Sequence, residues 1–400
     1  MTDAFVYDGL RSPFGRHAGA LASVRTDDLL AQVMRAVVAR SPFAADSIED
    51  VIVGCTNQAG EDSRNVGRNA ALLAGLPVGV AGLTVNRLCG SGLAALLDTA
   101  RAVRCGEGEV FIAGGVEGMS RAPFVLAKAD SAYSRSSQIY DTTMGARFPN
   151  PALTSEHGAD SMPETADNIA ADLAISREAA DAFALASQQK YAAAQARGFF
   201  TDEIQPIAVS TGRKTPPRLV ADDEHPRPQT DAASLSSLRP LFAGGVVTAG
   251  NASGINDGAG ALLVASRAAG EAVGATPRGR IVTGAVAGVP PRVMGLGPVP
   301  AARKALQRAG LTLAQMDVIE INEAFASQVL GCCQQLGLDP ADPRLNPNGG
   351  AIAVGHPLGA SGIRIALSAL RHLEQTGGRY ALVSMCIGIG QGIAVILERV

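Results

Sequence analysis

The 400-residue chain has no Cys-x-x-Cys pair, no excess of basic charge, and no apolar run near the ~20 residues that cross a bilayer. Each absence removes a class of function. Six cysteines without paired spacing, two of them adjacent at Cys332 and Cys333, argue against structural zinc and against a disulfide framework. A net charge of -3 leaves no basic stripe with which to displace counterions from nucleic acid. An anionic ligand would have to be held by a local patch. The start of the chain enters a strand-like stretch, Ala4-Phe5-Val6-Tyr7, without the basic and apolar regions of a secretion signal, so a reducing cytoplasm is expected. Charged residues make up only 18% and hydrophobic ones 47%, the balance of a compact α/β protein. One core rarely grows beyond roughly 250 to 300 residues, so at least two core units are expected.

What is present is an internal repeat. Ser91-Gly92-Leu93 through Ala113-Gly114-Gly115 overlays Ser361-Gly362-Ile363 through Val383-Ser384-Met385 at a constant offset of 270. The helical stripe Leu93, Leu96, Leu97, Ala100 returns as Ile363, Ala366, Leu367, Leu370, followed in each copy by a Gly turn and a buried strand. Asp50-Val51-Ile52-Val53 matches Asp317-Val318-Ile319-Glu320 at offset 267, and Gly258 to Val264 matches Gly390 to Ile396 at offset 132. The drop from 270 to 132 leaves about 138 extra residues in the first half, from about Glu117 to Asp257. Polar and rich in Ser, Arg, Asp and Pro, they read as a substrate-covering insertion with helices near Glu164 to Leu173 and Arg177 to Arg197, the second capped by Ser176. The expected units are 1–120 with 250–270, the insertion 121–249, and 271–400. Strands alternating with helices predict mostly parallel sheets, with the halves packed as stacked layers.

Three reactive side chains flank the repeat. Cys89, in Asn86-Arg87-Leu88-Cys89-Gly90-Ser91-Gly92, stands at a helix N-terminus, where free N–H groups and the helix dipole favour a thiolate. His356, in Gly355-His356-Pro357, precedes the second copy's helix and suits a general base, although a Gly-rich approach to a helix also suits an anion. Cys386 closes the second copy's strand at a Gly-rich turn, where a core cysteine is the plain alternative. Asn322, in Asn322-Glu323-Ala324-Phe325, ends another strand and reads equally as a helix cap or as a ligand group. A fold with pseudo-twofold symmetry would bring Cys89, His356 and Cys386 together.

Taken together, the Cys89 block, Gly114-Gly115-Val116-Glu117-Gly118-Met119-Ser120, Asn251-Ala252-Ser253-Gly254, Asn322 to Phe325, Gly355-His356-Pro357 and Cys386-Ile387-Gly388-Ile389-Gly390 resemble the thiolase family in order and over nearly the whole chain. The resemblance implies the thiolase fold: duplicated α/β halves with layered sheets and an inserted loop domain. It also implies an acyltransferase in which Cys89 is acylated, His356 activates it and Cys386 moves the α-proton. One oxyanion hole would use His356 with a water held by Asn322, the other the N–H groups of Cys89 and Gly388. Coenzyme A, a co-substrate and not a permanent cofactor, would be contacted by Met162, Arg227, Ala249, Ser253, Met294, Ala324 and Phe325; no metal is implied. Ser161 and Pro163 stand where a common family form has histidine and glycine.

The stretches Cys55 to Asp62, Met162 to Asp167 and Cys386 to Gln391 resemble most the branch acting on 3-oxoadipyl-CoA in aromatic catabolism. Such a substrate ends in a second carboxylate, for which Arg147, then Arg135, are the candidate partners. An acetoacetyl-CoA or medium-chain thiolase would share every catalytic residue. A Cys/His/Asn hydrolase would not need Cys386, and a non-catalytic acyl-CoA carrier would need none of the three. The family implies a homotetramer or at least a dimer.

Overall fold

The computed structural model describes residues 2–212 and 214–400. The first half runs β1 (Ala4–Arg11), β2 (Gly15–Arg16), α1 (Thr26–Arg40), β3 (Asp50–Gly54), α2 (Val66–Ala74), β4 (Ala81–Val85), α3 (Ser91–Cys105) and β5 (Val110–Gly118). A long excursion carries β6 (Phe124–Leu126), β7 (Ile139–Asp141), α4 (Pro151–His157), α5 (Met162–Asp172), α6 (Arg177–Ala196), β8 (Ile207–Val209), β9 (Arg218–Val220) and α7 (Ala232–Ser236) before β10 (Asn256–Ser266) returns. After α8 (Arg267–Ala272) come β11 (Gly279–Gly288), α9 (Pro298–Ala309), β12 (Val318–Ile321), α10 (Ala326–Leu336), α11 (Ala351–Val354), α12 (Leu358–Thr376), β13 (Tyr380–Ile387) and β14 (Gln391–Arg399).

The repeat is written into the sheet order β12-β13-β14-β11-β1-β10-β5-β3-β4. Read outward from the central β11–β1 seam, β11, β14, β13, β12 mirror β1, β10, β5, β3. β4 is reduced in the second half to a single parallel bridge, Ile319 to Leu345, where the first half pairs Ile52 with Leu83. The expectation of mostly parallel strands is corrected. Among the described strand pairs of this sheet, β3–β4, β3–β5 and β12–β13 are parallel, whereas β1–β10, β1–β11, β5–β10, β11–β14 and β13–β14 are antiparallel. The cause is the turn Gly388-Ile389-Gly390: three residues can join only antiparallel neighbours, and β5–β10 keeps the same pairing although 119–255 intervene.

Helices α1 and α2 pack on one outer face, α9 and α10 on the other, and α3 and α12 share the core between the two halves. The predicted stripe therefore faces a protein interior on every side. Leu93, Leu96, Leu97, Ile363, Leu367 and Leu370 are all buried there, each contributing about 1.5–3 kcal/mol relative to exposure. The two helices cross at repeat-equivalent glycines. A Cβ on Gly92 would stand 3.3 Å from the Gly362 Cα, and one on Gly362 would stand 3.0 Å from the Gly92 carbonyl carbon. This close approach sets how near the N-termini of α3 and α12 come, and Cys89 and His356 precede those two termini.

The excursion is pinned back by charge. The buried Arg11 guanidinium on β1 pairs with Glu203 at 2.5 Å and with Asp223 at 2.6 Å, and Asp223 also accepts from the Tyr191 hydroxyl at 2.7 Å and the Phe14 N–H at 2.8 Å. Every charge in the cluster has a partner, the condition under which buried ions are tolerated.

Candidate active site

Cys89 sits on a tight turn rather than in the helix proper. The Gly90 N–H donates to the Arg87 carbonyl at 3.0 Å, the Ser91 hydroxyl donates to the Leu88 carbonyl at 2.6 Å, and Leu88 adopts φ +46°. A left-handed leucine is uncommon and costs energy that the surrounding hydrogen bonds must offset. The turn aims Sγ toward the β13–β14 hairpin, where the Gly388 N–H and the thiol's own N–H are placed to stabilise negative sulfur.

Ionisation differs from the sequence expectation. Burial pushes the Cys89 thiol up to about 11, with the Glu117 carboxylate adding to the rise, although the two N–H groups oppose it. The helix end alone suggested a thiolate; Ile387 and Ile393 of the second half, packed against Gly90, supply the desolvation that local reasoning omits. Cys89 as a residue keeps partial exposure although its sulfur is buried.

His356 is held from both sides. Its backbone N–H donates to Asn256 Oδ1 at 3.0 Å, and Asn256 in turn donates to the Gly15 carbonyl at 2.8 Å. Its Nδ1 lies 2.7 Å from the Ser361 hydroxyl, which donates to the Pro357 carbonyl at 3.0 Å. That network assigns the proton to Nδ1 and leaves Nε2 as an acceptor. Burial, helped by the Arg364 charge, drives His356 down to about 3, so the resting imidazole is neutral. The Asn322 amide stands 3.4 and 3.5 Å from the two ring nitrogens, a packing contact at the edge of hydrogen-bond range, while its buried Oδ1 has no partner among the described residues. An orphaned acceptor at this point suits a water.

Cys386, on β13 opposite Gly392, is buried in a cluster with Ala166, Val247, Met294, Ala324 and Phe325. Its thiol lies well above the usual range because of burial and the nearby Cys89 sulfur. Above this cluster the 251–253 loop is stitched to the start of α10: the Ser253 N–H donates to the Ala324 carbonyl at 2.9 Å and the Ala326 N–H to the Asn251 carbonyl at 2.9 Å. A Cβ on Gly388 would meet the Met162 sulfur at 3.6 Å, which puts that half-exposed methionine at the rim. Cys89, Gly388, Cys386, Met162, Met294, Ser253, Ala324 and Phe325 thus form one neighbourhood, with Asn322 and His356 beside it. Ala249 and Arg227 are exposed, the latter tied down through its backbone, its N–H donating to Gln188 and its carbonyl accepting from the Thr230 N–H. Arg147 donates to the Asn57 carbonyl, while Arg135 is exposed.

Glu117 has a role that the sequence reading left unassigned. Its carboxylate accepts from the N–H groups of Thr56 at 3.1 Å, Asn57 at 2.9 Å and Gly359 at 2.9 Å, tying the 55–57 loop to the first turn of α12. Burial raises it to about 7. The available signal was one carboxylate inside a strand of otherwise small and apolar residues. Cys55, Asp62 and Glu117 bring ligand-type atoms within 4.8 Å of one another, but a carboxylate already accepting three N–H bonds has little left for a metal.

Comparison with known proteins agrees with this arrangement. Residues 4–268 match the family model described as thiolase, N-terminal domain, and residues 275–399 match thiolase, C-terminal domain. The chain is 58% identical over 402 residues to an Escherichia coli (strain K12) protein named 3-oxoadipyl-CoA/3-oxo-5,6-dehydrosuberyl-CoA thiolase, with 100% of each covered. It is 55% identical to an Acinetobacter baylyi beta-ketoadipyl-CoA thiolase, again with 100% of each covered. Human mitochondrial 3-ketoacyl-CoA thiolase in complex with CoA superposes with a TM-score of 0.92 at 40% identity, covering 100% of this chain and 98% of that one. Two domain models in tandem, relatives matched end to end and a duplicated fold with two cysteines and a histidine at its seam carry one conclusion: the chain belongs to the thiolase family of acyltransferases.

Proposed function

We propose that this thiolase cleaves 3-oxoadipyl-CoA with free CoA, giving acetyl-CoA and succinyl-CoA, as a step in the breakdown of aromatic compounds. The observation that carries the chemistry is the facing pair of cysteines from opposite halves, with the Gly388 N–H directed at one of them. The Cys89 sulfur attacks the 3-keto carbon as its proton passes to His356 Nε2, and the new alkoxide then expels the C2 carbanion of acetyl-CoA. Cys386 protonates that carbon, leaving a succinyl thioester on Cys89. Free CoA gives its thiol proton to the Cys386 thiolate and attacks the thioester, and Cys89 leaves with the proton held by His356, which restores all three groups. Oxygen charge develops at both addition steps, where donors such as the N–H groups of Cys89 and Gly388, or His356 with an Asn322-bound water, are each worth ~3 kcal/mol.

Met162, Ser253, Met294, Ala324 and Phe325 border the sulfur atoms and are assigned to the CoA-bearing side; Arg227 and Ala249, at the surface, suit its more distal parts. No permanently bound group is required by these steps, and a cytoplasmic setting suits six free cysteines. The substrate reading is tested by comparing kcat/KM on 3-oxoadipyl-CoA, acetoacetyl-CoA and longer unbranched 3-oxoacyl-CoA. 3-Oxoadipyl-CoA is expected to lead by at least about tenfold, as a charge-assisted contact would give; a lead for acetoacetyl-CoA would move the assignment to an acetyl-CoA acetyltransferase.

A homo-oligomer, tetramer or dimer, is also proposed. β4 leaves one edge of the sheet open, and Phe124, Leu126 and Ile139 on the β6–β7 hairpin are 74%, 63% and 66% exposed. An open strand edge and an apolar ribbon are surfaces that proteins usually cover. Light scattering should give a multiple of 40.8 kDa, and a single monomeric species would overturn the proposal.

A further inference from the structure

The geometry points to Arg147 as the residue that receives the terminal carboxylate of a dicarboxylic acyl chain, an inference that rests on the 3-oxoadipyl-CoA reading above. Arg147 lies between β7 and α4, half-buried, and donates one Nη2 hydrogen to the carbonyl of Asn57. Arg121, Arg177 and Arg197 of the excursion are already committed, to Glu61 and Asp181 through salt bridges and to the Phe199 ring, while Arg135, Arg218, Arg227 and Arg239 are exposed. Arg147 makes no salt bridge to a described residue, and most of the five donors of its guanidinium are free.

Its anchor leads directly to the nucleophile. Thr56, next to Asn57, donates its hydroxyl to the Leu88 carbonyl at 3.1 Å and accepts from the Asn86 amide at 2.9 Å, so the 56–57 loop lies against the turn that holds Cys89. A succinyl group on Cys89 carries its free carboxylate three C–C bonds beyond the thioester carbon, roughly 4 Å along the chain. Electrostatics call for a cation here, because Glu117 and Asp62 lie beneath the same loop and repel a second carboxylate. A planar guanidinium bonded to one neutral carbonyl can still offer a paired edge, the form that best recognises a carboxylate.

The test compares kcat/KM for 3-oxoadipyl-CoA with that for 3-oxohexanoyl-CoA, a chain of equal length without the carboxylate, in the full-length protein and in Arg147→Ala and Arg147→Lys. The expected result is a fall of about 10- to 100-fold in this ratio for Arg147→Ala, through loss on 3-oxoadipyl-CoA, with partial recovery in Arg147→Lys. A large wild-type ratio that Arg147→Ala leaves intact would overturn the Arg147 assignment and spare the substrate. An equal loss on both substrates would reduce Arg147 to a prop for the Asn57 loop and overturn it as well. A wild-type ratio near one would remove the substrate reading, and Arg147 with it.

Discussion

Cys89→Ala is expected to lower thiolytic cleavage by at least about 10⁴-fold and to leave no acyl adduct detectable by intact mass, because loss of a nucleophile removes the covalent route entirely. The protonation states decide how that nucleophile is generated. With the Cys89 thiol raised to about 11 and His356 lowered to about 3, both groups are neutral from about pH 5 to 9, so no thiolate–imidazolium pair stands ready in the free protein. Proton transfer to His356 Nε2 must accompany attack on the keto carbon, where the new charge moves to an oxygen that hydrogen-bond donors can meet. Neither residue should then contribute a limb to the pH profile of acylation in that range. Glu117, at about 7, is the buried group beside Cys89 that titrates there. Ionising it places negative charge near the sulfur and opposes thiolate formation, so any neutral limb assigned to it should fall toward alkaline pH. Turnover by Cys89→Ala within tenfold of the parent would end the acyl-cysteine mechanism.

The repeat was legible because periodicity and offset are properties of the sequence itself. Leu93, Leu96 and Leu97 with Ile363 and Leu367 announced two helices of the same kind, and the offset drop located the excursion between strands that pair at Gly118 and Asp257. Strand direction was not legible. A buried strand has the same apolar run whether its neighbour is parallel or antiparallel, and only the three-residue Gly388-Ile389-Gly390 link carried the information. Glu117 escaped assignment because its partners Asn57 and Gly359 lie 60 and 242 residues away. The ionisation of Cys89 was misjudged for a related reason: a helix dipole is local to α3, whereas the apolar cover over Gly90 comes from β13 and β14. Chemistry-bearing residue types could be read from motifs, but the dielectric around them is a property of the assembled halves.

Cys386→Ala is expected to abolish exchange of the C2 protons of acetyl-CoA with solvent deuterium, followed by proton NMR, while acetylation of Cys89 by acetyl-CoA still occurs; thiolysis should fall by about 10²- to 10⁴-fold. The separation follows from where the two sulfur atoms sit. Cys386 is buried among Met294, Ala324 and Phe325, and that burial first of all holds its thiol protonated, with any charge that formed on the Cys89 sulfur adding to the effect. When Cys89 carries an acyl group no thiolate can form there, so none opposes the thiolate left on Cys386 after it protonates the departing carbanion. The two sulfurs therefore take turns: charge on one disfavours charge on the other, and acylation of the first removes that opposition to charge on the second. A hydrolase built on Cys89, His356 and Asn322 has no use for this alternation, since its leaving group needs no proton on carbon. If Cys386→Ala kept full C2 exchange, the proton would have to come from elsewhere, with His356 the remaining nearby base. If the variant also lost acetylation at Cys89, the two cysteines could not be assigned separate steps.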